Sequence, residues 1–256
     1  MEKDTDKKDV LKLALAAGEI LLKNGAETYR TEQTVEMICR SRGFEGVHSF
    51  VTPTGIFISE DQADGISYLK RIRSRTIHLE KIARINALSK TFVASDMEPA
   101  LALKAIEDIE STEESERIRV VSGALAAGFF AVLFGGGMLE FALALPVAAL
   151  AILCADAIGR LSRTPFLANA AAGALIAFLG LLVEAADLGA SVDPVIIGAI
   201  MPHVPGVALV TGLRDFIEGD LLAGTSRVAE AGVIAVSIAV GVGAVIQLWA
   251  LFGGLL

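Results

Sequence analysis

Basic residues all but disappear from the second half of this 256-residue chain. Of its 22 Lys and Arg, 18 lie at or before Arg119, and only Arg160, Arg163, Arg214 and Arg227 follow. Cysteine is scarce as well: Cys39 sits in the polar half and Cys154 inside an apolar run. That pair suggests neither a disulfide framework nor a CxxC metal site. The formal charge of −8 excludes a nucleic-acid partner, which needs a basic footprint. GxSxG, HExxH and phosphate-binding-loop patterns are missing, so no enzyme, cofactor, metal or use of ATP is indicated. The opening Met1-Glu2-Lys3-Asp4, with Lys12 and Glu19 interrupting the first apolar stretch, does not read as a signal peptide.

What the chain has instead is apolar length. Hydrophobic residues make up 54% and mean hydropathy is +0.61. A charge at the centre of a bilayer costs about 2.5–3.5 kcal/mol, so runs of about 20 apolar residues between isolated charges read as spanning helices. Five are predicted, at 118–134, 138–158, 165–183, 194–213 and 228–252. Arg117 and Arg119 stand at the start of the first run, Arg160 and Arg163 follow the second, and Arg214 and Arg227 lie in the link after the fourth, while the intervening links have no basic residue. Basic loops stay in the cytoplasm, so the alternation places the N-terminus inside and the C-terminus outside the cytoplasmic (inner) membrane. The expected architecture is an α-helical membrane protein, a five-helix transmembrane bundle (117–256) preceded by a small cytosolic α/β domain (1–116).

In the polar half, a mostly buried first helix carries Asp9, Lys12, Glu19 and Lys23 on one stripe and stops at Asn24-Gly25, residues that tolerate a left-handed C-cap. A helix over 27–42 follows. Three strands at 47–52, 56–59 and 66–72 turn through Pro53-Thr54-Gly55 and Asp64-Gly65. Helices over 77–93 and 97–109 complete the domain, the latter opened by a Ser95/Glu98 capping box ahead of Pro99. Two readings of its polar groups stay open. Glu27 and Arg30, one turn apart, form a local ion pair beside a simple Thr52-Pro53-Thr54-Gly55 turn, or they join His48 and Thr54 in a ligand-sensing or hydrolytic pocket.

In the apolar half, Met201-Pro202-His203-Val204-Pro205-Gly206 interrupts the fourth run near its middle. Two prolines remove two backbone donors, and a broken helix with an ionisable residue at membrane depth points to a transport site. The plainer alternative is a buried neutral imidazole bonded to a carbonyl. Asp156 pairs with Arg160 one turn later, or faces a polar pathway with Asn169. Glu140, Glu184, Asp187 and Asp193 form a solvated outer cluster, or an acidic vestibule. The stretch from Arg214 to Arg227 reads as an interfacial helix with Leu213, Ile217 and Leu221 on one side. Small residues at Ala231, Ala235, Ala239 and Gly243, extended by Gln247, and at Asn169, Gly173 and Ala177, mark helix contacts.

Four ordered segments, Asn24-Gly25-Ala26-Glu27-Thr28-Tyr29-Arg30, Ser49 through Phe57, Met201 through Gly206, and Leu213 through Asp220, resemble the hallmarks of the threonine/serine exporter family. The resemblance implies export of small hydroxy amino acids, or of a dicarboxylate such as succinate, as in some two-chain systems. Single-chain members carry a cytosolic domain and about ten spans, so this chain resembles the larger subunit of the split form and implies a second, smaller membrane subunit. In that reading Asp156, Asn169, Pro202, His203, Pro205 and Gly206 line the substrate pathway, and Arg214, Asp215, Asp220 and Arg227 form an inner gate.

Overall fold

In the computed structural model the described residues are 2–61, 67–112, 115–162 and 164–252, with side chains from residue 7 onward. The expected Asp64-Gly65 turn and Arg163 lie outside them. In chain order the elements are α1 (Glu2–Lys23), α2 (Thr28–Arg40), β1 (Val47–Thr52), β2 (Gly55–Glu60), β3 (Ser67–Arg71), α3 (Leu79–Ala94), α4 (Pro99–Glu110), α5 (Glu116–Leu133), α6 (Met138–Ser162), α7 (Pro165–Ala185), α8 (Val192–Ile200), a 3-10 turn (Met201–His203), α9 (Gly206–Ile217) and α10 (Leu221–Leu251). They gather into two units. One comprises residues 1–113 with 207–229, the other residues 114–206 with 230–256. The sequence assigns 207–229 to the membrane half; in the structure that segment packs with the N-terminal residues.

The first unit is built around α1. Val10, Leu11, Leu13, Ala14, Ala17, Ile20, Leu21 and Leu22 are all buried, an arc too wide for a surface helix, so neighbours cover it on most sides. Its polar stripe is not wasted: Glu19 pairs with Lys23 at 2.7 Å and with Lys70 at 2.8 Å, and Lys23 reaches Glu110 at 3.0 Å. Gly25, at φ +93°, ends the helix as expected. The strands form an antiparallel meander, β1-β2-β3, with Val47 opposite Glu60 and Gly55 opposite Arg71. Val47, Val51, Ile56 and Ile58 face the core. The capping box is not made. Ser95 is instead the extended residue closing α3, its Oγ donating to Thr91 O at 2.7 Å, while Glu98 precedes α4 with no side-chain cap bond.

Cys39 lies in this core with no exposed surface, and burial pushes its thiol up to about 12. A thiol held protonated and out of reach does not alkylate. Maleimide should therefore leave Cys39 unmodified in the folded protein and label it on denaturation, as mass spectrometry of peptic fragments will show; labelling under native conditions would contradict this core.

The second unit packs α5, α6, α7 and α8 together around Ala127, Ala131, Ala144, Ala148, Ala151, Ala172 and Ala199. Alanine at so many contacts lets helix backbones approach closely. Gly198 serves the same end: a Cβ there would stand 2.5 Å from the Ala127 carbonyl oxygen. Among the described residues three helices, α6, α7 and α10, are long and apolar enough to cross a membrane, or four if Val192–His203 and Gly206–Ile217 count as one broken span. The helix predicted as the first span does not meet that measure. Glu116, Arg117 and Arg119 fill its opening turn and shorten its apolar stretch.

Other expectations need correcting. On α10 the packed face runs through Ala231 and Ile238, with Gly241 so close to α7 that a Cβ would lie 2.0 Å from the Ala170 oxygen. Ala235, Ala239, Gly243 and Gln247 are exposed, a drift that arises because a strict four-residue step advances faster than the 3.6-residue turn. Glu140 is buried, not solvated: its oxygens accept from the Gly137 and Ser191 amides at 2.6 and 2.8 Å. The interfacial helix from Arg214 to Arg227 is cut by a turn at Gly219 (φ +90°), and Leu213, Ile217 and Leu221 are exposed.

Candidate functional site

In the second unit, the first turns of α5, the last turns of α6 and the 3-10 turn after α8 enclose a cleft of about 440 Å³ lined by Arg119, Ser122, Gly123, Ala126, Ile152, Ala155, Asp156, Pro202 and His203. α8 runs antiparallel to α5, with Gly198 against Ala127 and Pro202 near Gly123. By His203 the chain has reached the charged start of α5. The break therefore lies level with Arg119, which the mid-run position in the sequence did not convey. Pro202 ends the regular helix, Val204 N–H donates to Met201 O at 3.2 Å, and His203 keeps a buried Nε2 without a hydrogen-bond partner.

Asp156 does not pair with Arg160. Its Oδ1 accepts from Arg119 Nη1 at 3.1 Å and its Oδ2 from Nη2, a two-pronged ion pair, while Arg160 lies 3.8 Å from Glu116. Arg119 was missed as a site residue, although a signal existed. An α5–α6 hairpin folded at Gly136 brings residues at similar distances from the turn together, and Arg119 and Asp156 stand 17 and 20 residues from it. Asn169 is not part of this cleft; its Nδ2 donates to Pro165 O at 2.9 Å at the start of its own helix. Pro205 and Gly206 are likewise absent from its lining.

The first unit holds a second polar cluster, where the start of α2 meets α9 and α10. Asp215, fully buried, lies 2.9 Å from Arg227 Nε and accepts from Thr28 Oγ1 at 3.0 Å. Arg227 Nη2 donates to Ala26 O at 2.6 Å. At the rim Arg214 Nη1 meets Glu27 Oε1 at 2.8 Å, with Arg30 at 3.7 Å on the other oxygen. Burial would push the Glu27 carboxyl up, but its own amide and the Arg214 and Arg30 guanidinium groups hold it below the usual range. The rim pair thus contributes stability at neutral pH and loses it only as pH falls through that depressed value. Asp220 stands apart from the ion pairs, its Oδ1 accepting from Ala223 N–H at 3.1 Å at the start of α10.

Three of the four expected gate residues thus join Glu27 and its neighbours, and Thr28, a member not singled out from the sequence, lies in the Asn24–Arg30 segment that carries the resemblance. The hydrolytic or sensing pocket does not form. His48 is exposed opposite Ser59 in the sheet, and Thr52, Pro53, Thr54 and Gly55 make the β1–β2 turn, fastened by Arg75 Nη1 to Pro53 O at 3.1 Å and Ile72 N–H to Thr54 O at 2.9 Å. No group of three or more metal-ligating side chains occurs among the described residues.

Residues 12–249 match the family described as threonine/serine exporter (ThrE). The chain is 25% identical over 250 residues to "Threonine/serine exporter" of Corynebacterium glutamicum, covering 93% of this chain and 51% of that one. It is 26% identical over 251 residues to "Probable threonine/serine exporter" of Mycobacterium tuberculosis (strain ATCC 25618 / H37Rv), covering 93% and 46%. The chain therefore spans about half the length of these relatives. No solved structure matches. With nearly its whole length in the match, the chain belongs to the ThrE family of threonine/serine exporters.

Proposed function

We propose that this chain supplies the cytosolic domain and one half of the membrane pathway of a secondary exporter for a small polar metabolite of the threonine or serine type. The observation that carries this reading is the family match over residues 12–249. The Arg119–Asp156–His203 cleft supports it, because charged groups among apolar helices are costly and mark pathways. With α5 counted as a fifth crossing, the alternation of basic links supports N-terminal residues in the cytoplasm and a C-terminus outside the inner membrane. Energy comes from an ion gradient. A dicarboxylate such as succinate is the second reading of the substrate, since the Arg119 fork in the cleft can hold a carboxylate of either class.

The second half of the pathway comes from a second, smaller membrane subunit. In support, the relatives are about twice as long as the part matched here. Alternating access in such folds works one half against the other. Efflux of preloaded serine from vesicles should appear when both chains are present and stay at background with this chain alone. Rapid gradient-driven efflux by this chain alone would overturn the two-subunit reading, and no efflux of serine, threonine or succinate by the pair would overturn the exporter reading.

A further inference from the structure

Resting on the exporter reading, we propose that the Arg119–Asp156 ion pair is the substrate site itself. It opens to take a zwitterion, the substrate carboxylate replacing Asp156 on the Arg119 fork and the ammonium group taking the Asp156 carboxylate.

Three observations converge on it. The pair faces a cleft of about 440 Å³, large enough for a small metabolite. It is held by two parallel bonds, the geometry in which guanidinium recognises any carboxylate. Its partners come from two helices, Arg119 from α5 and Asp156 from α6, while Arg160, the neighbour one turn from Asp156, lies near Glu116 instead.

Exchange is the chemistry this arrangement permits. The pair is half-buried, with Arg119 40% and Asp156 20% exposed, and removing one partner has a cost, leaving the other charge uncompensated among the apolar side chains of the cleft. A ligand bearing both charges on one carbon removes that cost, since each protein charge changes partners without losing one. A monocarboxylate satisfies Arg119 and strands Asp156; an amine does the reverse; a dicarboxylate brings its second negative charge towards Asp156. The cleft thus selects by rejection as much as by attraction. His203 adds a neutral element, its buried Nε2 being placed on the same cleft to bond the substrate hydroxyl.

Competition against labelled serine in vesicles carrying the complete exporter tests this. For the wild type, 3-hydroxypropionate (no ammonium) and serinamide (no carboxylate) should each inhibit at least about tenfold more weakly than serine, the range expected when a site's charged group is left unpaired. Asp156→Asn should weaken serine about tenfold while 3-hydroxypropionate changes by less than about twofold, and Arg119→Gln should do the same for serine against serinamide. Equal weakening of all three ligands in Asp156→Asn would make the pair a structural clasp and overturn the proposal. Should both variants fail to accumulate, the wild-type panel decides: analogues that compete as well as serine overturn the proposal. A wild type that exports succinate but not serine sinks the zwitterion site and leaves the exporter reading standing, whereas one that exports nothing sinks both.

Discussion

Replacing Arg227 by leucine should destabilise the first unit by about 3–5 kcal/mol, the cost of leaving one member of a buried ion pair alone. Asp215 has no exposed surface and Arg227 almost none, so water cannot replace the lost guanidinium. The substitution also takes the donor from Ala26 O, leaving Asp215 with the Thr28 hydroxyl and amide. The Cys39 thiol provides the readout, because it reacts only when the core around it opens. Maleimide labelling of Cys39 in Arg227→Leu should begin at temperatures where the wild type is unreactive. Asp215→Leu combined with Arg227→Leu should recover part of the loss, since an apolar pair strands no charge. Labelling of Arg227→Leu at the wild-type rate would show that the pair does not hold the unit together.

Substituting His203 should stop transport without unfolding the chain. Leucine keeps bulk but has no polar atom; glutamine keeps a donor and cannot become charged. His203→Leu should insert at normal abundance yet lose at least about tenfold in serine efflux, as expected for a polar group on a pathway through apolar helices. His203→Gln then separates two roles. If it retains most activity, the imidazole acts by hydrogen bonding; if it fails like leucine while the wild type responds to pH between 6 and 8, the imidazole carries a proton. Wild-type efflux by His203→Leu across that range would remove His203 from the pathway and leave Pro202 to Gly206 as a plain kink.

Much of this was legible because it rests on local rules. The meander follows from β-branched runs between turn residues, the stop at Gly25 from its conformational freedom, and the break at Pro202 from a missing donor. The pairings were not. Asp156 has Arg160 one turn away, and local spacing cannot reveal that Arg119 on the neighbouring helix offers both nitrogens in better geometry. Asn169 looked like a pathway residue by type, yet its amide is used within its own helix. The link from Arg214 to Arg227 was read as one interfacial helix with Leu213, Ile217 and Leu221 on one side. Those three are exposed, but a turn at Gly219 cuts the helix, and Asp215 and Arg227 turn inward to meet Thr28 and Ala26, far away in sequence.

That distance sets a timetable for biosynthesis. Ala26 accepts its hydrogen bond from a residue 201 positions later. At ribosomal speeds of about 5–20 residues per second, Ala26 waits roughly 10–40 s after its own synthesis for that partner to be made. During that interval α5 through α8 are made, while the N-terminal unit still lacks Asp215 and Arg227. Its last fastening is thus deferred until the helices between have been delivered. A nascent chain arrested before residue 215 would present Thr28 and Glu27 without the groups that later cover them.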